Sequence, residues 1–80
     1  MSGAHVSWPV RARVQRLSDL LLALRIEQEI IRFGNQITAD AAMVRQNSVI
    51  DQLAELSGIM RAEGDFQVID ALLAERGNAV

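Results

Sequence analysis

From Leu17 to Phe33 apolar side chains return every three or four residues, the spacing of a helix, yet they fall on two sides of it. Leu17, Leu20, Leu21, Leu24 and Ile31 line one side, and Leu22, Ile26, Ile30 and Phe33 line the other. Arg25 and Glu29 separate the two sets along one boundary, Arg16 and Glu27 along the other. A helix that is apolar on two sides has to be covered from two sides.

The same periodicity predicts three helices. Trp8-Pro9 opens the first, because the residue before proline avoids the α region and proline suits the first helical position. It runs over about residues 9 to 33 and stops at Gly34-Asn35, read as a left-handed terminator. A polar hinge leads to Thr38, the expected N-cap of a second helix over about residues 38 to 63, with Asp40 in its first turn. Its stripe is Ala42, Val49, Leu53, Leu56 and Met60, flanked by Met43 and Ile50. Asn47-Ser48 offers a weak alternative cap, but one continuous helix is expected. Gly64 ends it. Asp65 caps a short third helix over about residues 66 to 76, with Phe66, Ile69, Leu72 and Leu73 on one face and Gly77 closing it. Residues 1 to 7 and 77 to 80 have no period and are expected to be loose.

Two long helices of similar length joined by a short hinge predict an antiparallel hairpin. The fold class is therefore all-α: a hairpin with a short C-terminal third helix, in a single domain over residues 1 to 80. Heptad-like spacing puts Val10, Val14, Leu17, Leu21, Leu24 and Ile31 opposite the second helix's stripe. Gln28 and Gln46 lie at or beside that seam, either as a buried amide pair that sets register or as amides reaching water. The third helix extends only about 17 Å at 1.5 Å per residue, so it shields the first no further than Leu20 or Leu21. Leu22, Ile26, Ile30 and Phe33, with Met43 and Ile50 expected beside them, are left uncovered. Burying four such side chains is worth about 6 to 12 kcal/mol at roughly 1.5 to 3 each, and an exposed patch of that kind marks an association site. A second copy in a helical-bundle homodimer is the simplest cover, and a helix of another protein is the alternative.

Composition sharpens this reading. Half of the 80 residues are hydrophobic but only 4% are aromatic, and there is no cysteine. Neither a disulfide framework nor a thiolate metal site is available, and small chains without such staples gain stability by oligomerising. All eight basic residues are arginine, which fits either bidentate recognition of carboxylates and phosphates or the codon usage of a GC-rich genome. A formal net charge of −2 argues against general affinity for nucleic acid or an anionic membrane. The longest apolar run, Leu20 to Leu24, is far too short to span a bilayer, and the first residues do not read as a signal peptide. A cytoplasmic protein is expected.

Candidate chemistry is sparse. His5, the single histidine, has no companion at ligand spacing, the acidic residues are scattered on polar faces, and no phosphate-cradling glycine loop occurs. No catalytic residue, metal or cofactor is assigned. Arg11, Arg13 and Arg16 gather in the first turns, as an exposed basic turn or as a rim for an acidic partner. Trp8 is either an interface anchor or, by preference, a cover for the end of its own bundle against Phe66 or Leu73. Two other functions compete. A dimer presenting its Arg11 to Arg16 ends could bind DNA, and Arg11 with Arg25 or Arg32 could hold a small dianion in an enzyme. In architecture alone the latter resembles the all-helical chorismate mutases, which use a lysine and several arginines. Without a lysine or matching arginine spacing, no residue is carried across. The reading is a non-enzymatic protein-interaction module of adaptor, chaperone or anti-activator type. Short bacterial and phage regulators share such simplicity, by analogy only.

Overall fold

Why the chain bends where it does is visible at Gly34 and Asn35, the only two residues between the long helices. The computed structural model describes residues 7 to 78: α1 (Trp8–Phe33), α2 (Gln36–Ala62) and α3 (Asp65–Asn78). Gly34 is extended (φ −84°, ψ 174°) and its N–H donates to the Ile30 carbonyl at 2.7 Å. The expected left-handed terminator is thus corrected. Glycine is needed here for space: a Cβ would sit 2.5 Å from the Ile30 carbonyl oxygen and collide with the Thr38 hydroxyl.

Asn35 is the N-cap of α2, its Oδ1 accepting from the Thr38 N–H at 2.9 Å. Thr38, expected to be the cap, lies three residues inside and returns its hydroxyl to the Asn35 carbonyl at 3.1 Å. Asparagine competes as well as threonine for this role, so the earlier residue takes it and the hinge shortens. α2 passes Asn47-Ser48 unbroken. Gly64 has the left-handed backbone (φ 77°) that ends α2, and its carbonyl accepts from Gln67 and Val68 to start α3. Asp65 therefore belongs to the first turn of α3, where a carboxylate suits the helix dipole. α3 also runs through Gly77, which lies in open space.

α1 and α2 pack as an antiparallel hairpin, and α3 folds back on α2. The α2 seam repeats every three or four residues as expected. Ala42 and Met60 are buried, and Ala39, Gln46, Val49, Leu53 and Leu56 are half-buried. On α1 the seam is Val10, Arg13, Leu17, Leu20, Leu24, Glu27 and Ile31, a heptad ladder in which every second rung is Arg13, Leu20 or Glu27. Leu21, placed in this seam by its sequence spacing, is instead 51% exposed. Among the described residues only Leu20, Ala42 and Met60 are buried hydrophobics, while twelve large hydrophobics are exposed. The radius of gyration is 16.4 Å, against about 12 Å for a compact chain of this length. The hairpin is long, thinly cored and apolar outside.

Candidate interaction faces of the hairpin

Two charged residues enter the α1 seam, and each is neutralised by a different element. Arg13 donates from Nε and Nη2 to the two carboxylate oxygens of Asp65, at 2.5 and 2.8 Å. The Asp65 side chain has no exposed surface. These hydrogen bonds from the guanidinium hold the Asp65 carboxyl below its ordinary pKa, outweighing the opposite effect of burial. The pair ties the start of α3 to α1. Two heptads further along α1, about four turns, the same position is Glu27, whose Oε2 accepts from Arg45 Nε at 2.6 Å. Glu27 is buried and Arg45 half-exposed. No buried glutamine pair forms: Gln28 is exposed, and the Glu27–Arg45 pair supplies the polar contact across the seam.

These pairings define which side of the hairpin each residue lies on. In an antiparallel pair, residues turned in the same rotational sense from each helix's seam lie on the same side. At about 100° per residue, Ile26 lies behind the α1 seam and Leu21 ahead of it. Ile26 shares a groove of about 420 Å³ with Ala23 and Glu27 of α1 and Arg45, Ser48 and Val49 of α2. Arg16, on the same side, donates to Gln52 at 2.9 Å. Met43 and Ile50 are turned the other way from the α2 seam, toward Leu21. The expected single patch is therefore two.

The Ile26 side carries Leu22, Ile26, Ile30 and Phe33 along the outer flank of α1. Leu22 is 58%, Ile26 49% and Phe33 76% exposed, and Ile30 is half-buried. Phe33 and Ile37, which is 81% exposed, bracket the turn; sequence spacing did not single out Ile37. By the same helix rotation Leu21, Leu24 and Gln28 of α1 and Met43, Gln46 and Ile50 of α2 fall on the Leu21 side. No charged residue falls within this strip.

The arginine cluster at the start of α1 divides too. Arg13 is spent on Asp65, because it sits seven residues before Leu20 and thus faces the seam. Arg16 is hydrogen-bonded to Gln52, and Arg11 is exposed. Trp8 is 76% exposed and Leu73 59% exposed, so the expected cover of the bundle end is corrected. Proline at the second position starts the helix with Trp8 turned away from α2. His5 lies outside the described residues. Among the described residues no group of three or more acidic or histidine side chains is placed to hold a metal, and no helix is long and apolar enough to cross a membrane. Sequence reasoning missed Glu27, Arg45 and Asp65 as structural partners. The available signal was the seven-residue interval joining Arg13, Leu20 and Glu27.

Comparison with protein-family models, with curated proteins and with solved structures finds no match to this chain.

Proposed function

We propose that this protein is a non-enzymatic association module whose working surfaces are the outward apolar faces of the α1–α2 hairpin, and that it pairs with a second copy through the Ile26 side. The observation that carries the proposal is the row Leu22, Ile26 and Phe33, half to three-quarters exposed along one flank of a single helix. A row of this kind matches itself under a two-fold axis: run antiparallel to its copy about Ile26, Leu22 and Ile30 exchange places. The product is a four-helix assembly. Covering the exposed fractions of these three side chains on both copies gains about 5 to 11 kcal/mol at 1.5 to 3 per full side chain. Association costs about 4 to 15 kcal/mol. The balance supports a weak, concentration-dependent dimer, as suits an adaptor or inhibitor that exchanges partners.

Sedimentation equilibrium over a wide concentration range tests this. The mass should rise toward twice that of the chain, and Ile26→Asp should hold it at one copy without loss of helicity. A mass of one chain at every concentration refutes the dimer.

A further inference from the structure

We infer that the opposite, Leu21 side of the hairpin docks an acidic amphipathic helix from another protein. The inference extends the association reading above, but it concerns a different face and a different occupant. The strip is built from Leu21, Leu24 and Gln28 of α1 and Met43, Gln46 and Ile50 of α2. Leu21 and Gln28 are one heptad apart, as are Met43 and Ile50, so the strip runs parallel to the seam. Along each helix it spans seven residues, about 10 Å.

Charge identifies the occupant. The chain as a whole is acidic, at −2, yet the rim of this strip is basic. Arg11 and Arg61 lie across from each other at one end, Arg25 lies midway and Arg32 near the turn, all of them exposed. Arg25 pairs with Glu29 at 3.9 Å on the exposed surface, a contact that solvent screens, and Arg32 stands 5.2 Å from the ring centre of Phe33. By helix rotation Glu27 is in the seam, Asp19 and Glu63 lie on the Ile26 side, and Asp51 and Glu55 are on outer surfaces. Of the acidic residues of α1 and α2, Glu29, on the same bearing as Arg11, and Asp40, near the turn, border this rim, so four arginines face two carboxylates. A second copy seated here would set arginines against arginines. A helix with leucines on one face and glutamates at its edges meets an apolar floor and a cationic rim at once. The uncharged floor favours such a helix over a bare polyanion such as duplex DNA.

The test is fluorescence anisotropy of the intact protein with a labelled synthetic helix of leucine and glutamate in this pattern. The same peptide with lysine for glutamate, and a labelled DNA duplex, serve as comparators. The acidic peptide should bind at least about tenfold more tightly than the lysine peptide and weaken as salt is raised. Leu21→Asp should abolish binding. The joint change Arg11→Gln, Arg25→Gln and Arg61→Gln, confined to exposed side chains, should leave the fold intact and weaken binding about tenfold. Ile26→Asp should leave binding intact even if it abolishes dimerisation, so failure of one proposal is distinguishable from failure of the other. Equal binding of both peptides, no binding of the acidic one, an unchanged affinity in the arginine variant, or tighter binding of DNA overturns the inference.

Discussion

Replacing Glu27 should reveal how the hairpin is held, because the seam assigns opposite signs to two neighbouring substitutions. Glu27 has a side chain only 10% exposed and accepts one short hydrogen bond from Arg45. Arg45→Ala strips that partner and leaves a carboxylate in a site that little water reaches. The cost of an unsatisfied buried acceptor is about 1 to 3 kcal/mol. Arg45 is itself 53% exposed, so solvent compensates in part and the lower half of that range, about 1 to 2 kcal/mol, is expected. At about 4 to 8 °C per kcal/mol for a domain of this size, the melting temperature should fall by roughly 4 to 16 °C. Glu27→Leu, by contrast, puts an apolar side chain on a rung between Leu20 and Ile31, where exchanging an ion pair for a hydrophobe is neutral or stabilising by about 1 to 4 kcal/mol. Its melting temperature should stay level or rise. The double variant should follow Glu27→Leu, because Arg45 has nothing left to pair with. Thermal unfolding by far-UV circular dichroism at one fixed protein concentration reads all three. If Glu27→Leu destabilises as much as Arg45→Ala, Glu27 is not in the seam and the rotation of α1 derived above is wrong.

Two further outcomes follow from the same geometry. The Asp65 carboxyl is held below its ordinary pKa by Arg13, so its contribution is fully present above the unfolded-state value near pH 4 and is lost as pH falls through the lowered folded value. Urea unfolding at successive pH values should show stability declining through the acid range, with Asp65→Asn flattening part of that decline; an unchanged slope in the variant refutes the assignment. Gly58→Ala should stabilise by about 1 kcal/mol, since a Cβ there meets nothing within 4 Å in mid-helix, whereas Gly64→Ala should destabilise by about 1 to 2 kcal/mol because of its positive φ. The reverse order in urea unfolding would place α2 and its terminator incorrectly.

The helices were legible because their punctuation is local. Pro9, Gly34, Asn35 and Gly64 act on the backbone within a turn of themselves, and helix ends were read to within about two residues. The α2 stripe was legible for a second reason. Ala42, Val49, Leu53, Leu56 and Met60 form one unbroken row at three- and four-residue spacing, while Met43, Val44, Ile50 and Ile59 beside it form no second row of that length. On α1 two such rows compete. With leucines and isoleucines on most of its circumference, apolarity cannot say which flank turns inward. Treating Glu27 as a polar boundary rotated the seam toward Leu21 and put Met43 and Ile50 beside Ile26. Their true neighbours depend on the handedness of an antiparallel pair, which a list of apolar positions does not contain. Arg13 was read as a rim cation because its partner, Asp65, is remote in sequence.

What sequence reading treated as a boundary is better understood as the selector. If hydrophobic burial alone set the rotation of α1, several orientations against α2 would bury comparable amounts of leucine and isoleucine, and the hairpin would have no unique packing. Arg13 and Glu27 remove that degeneracy. Turning α1 by one residue to bring Leu21 inward would carry Arg13 away from Asp65 and Glu27 away from Arg45, leaving Asp65 buried without its cation. Only the observed rotation keeps both pairs closed with Leu20 between them. That choice has a consequence outside the seam. A helix that turns Arg13 and Glu27 into its seam leaves Leu21, Leu22 and Ile26 outside, so the groups that specify the fold also keep two apolar flanks facing solvent. Seen this way, Glu27→Leu should keep or gain stability at the expense of a unique rotation. The thin core and the exposed flanks are then two results of one arrangement, in which ion pairs orient the helix and apolar side chains are reserved for association.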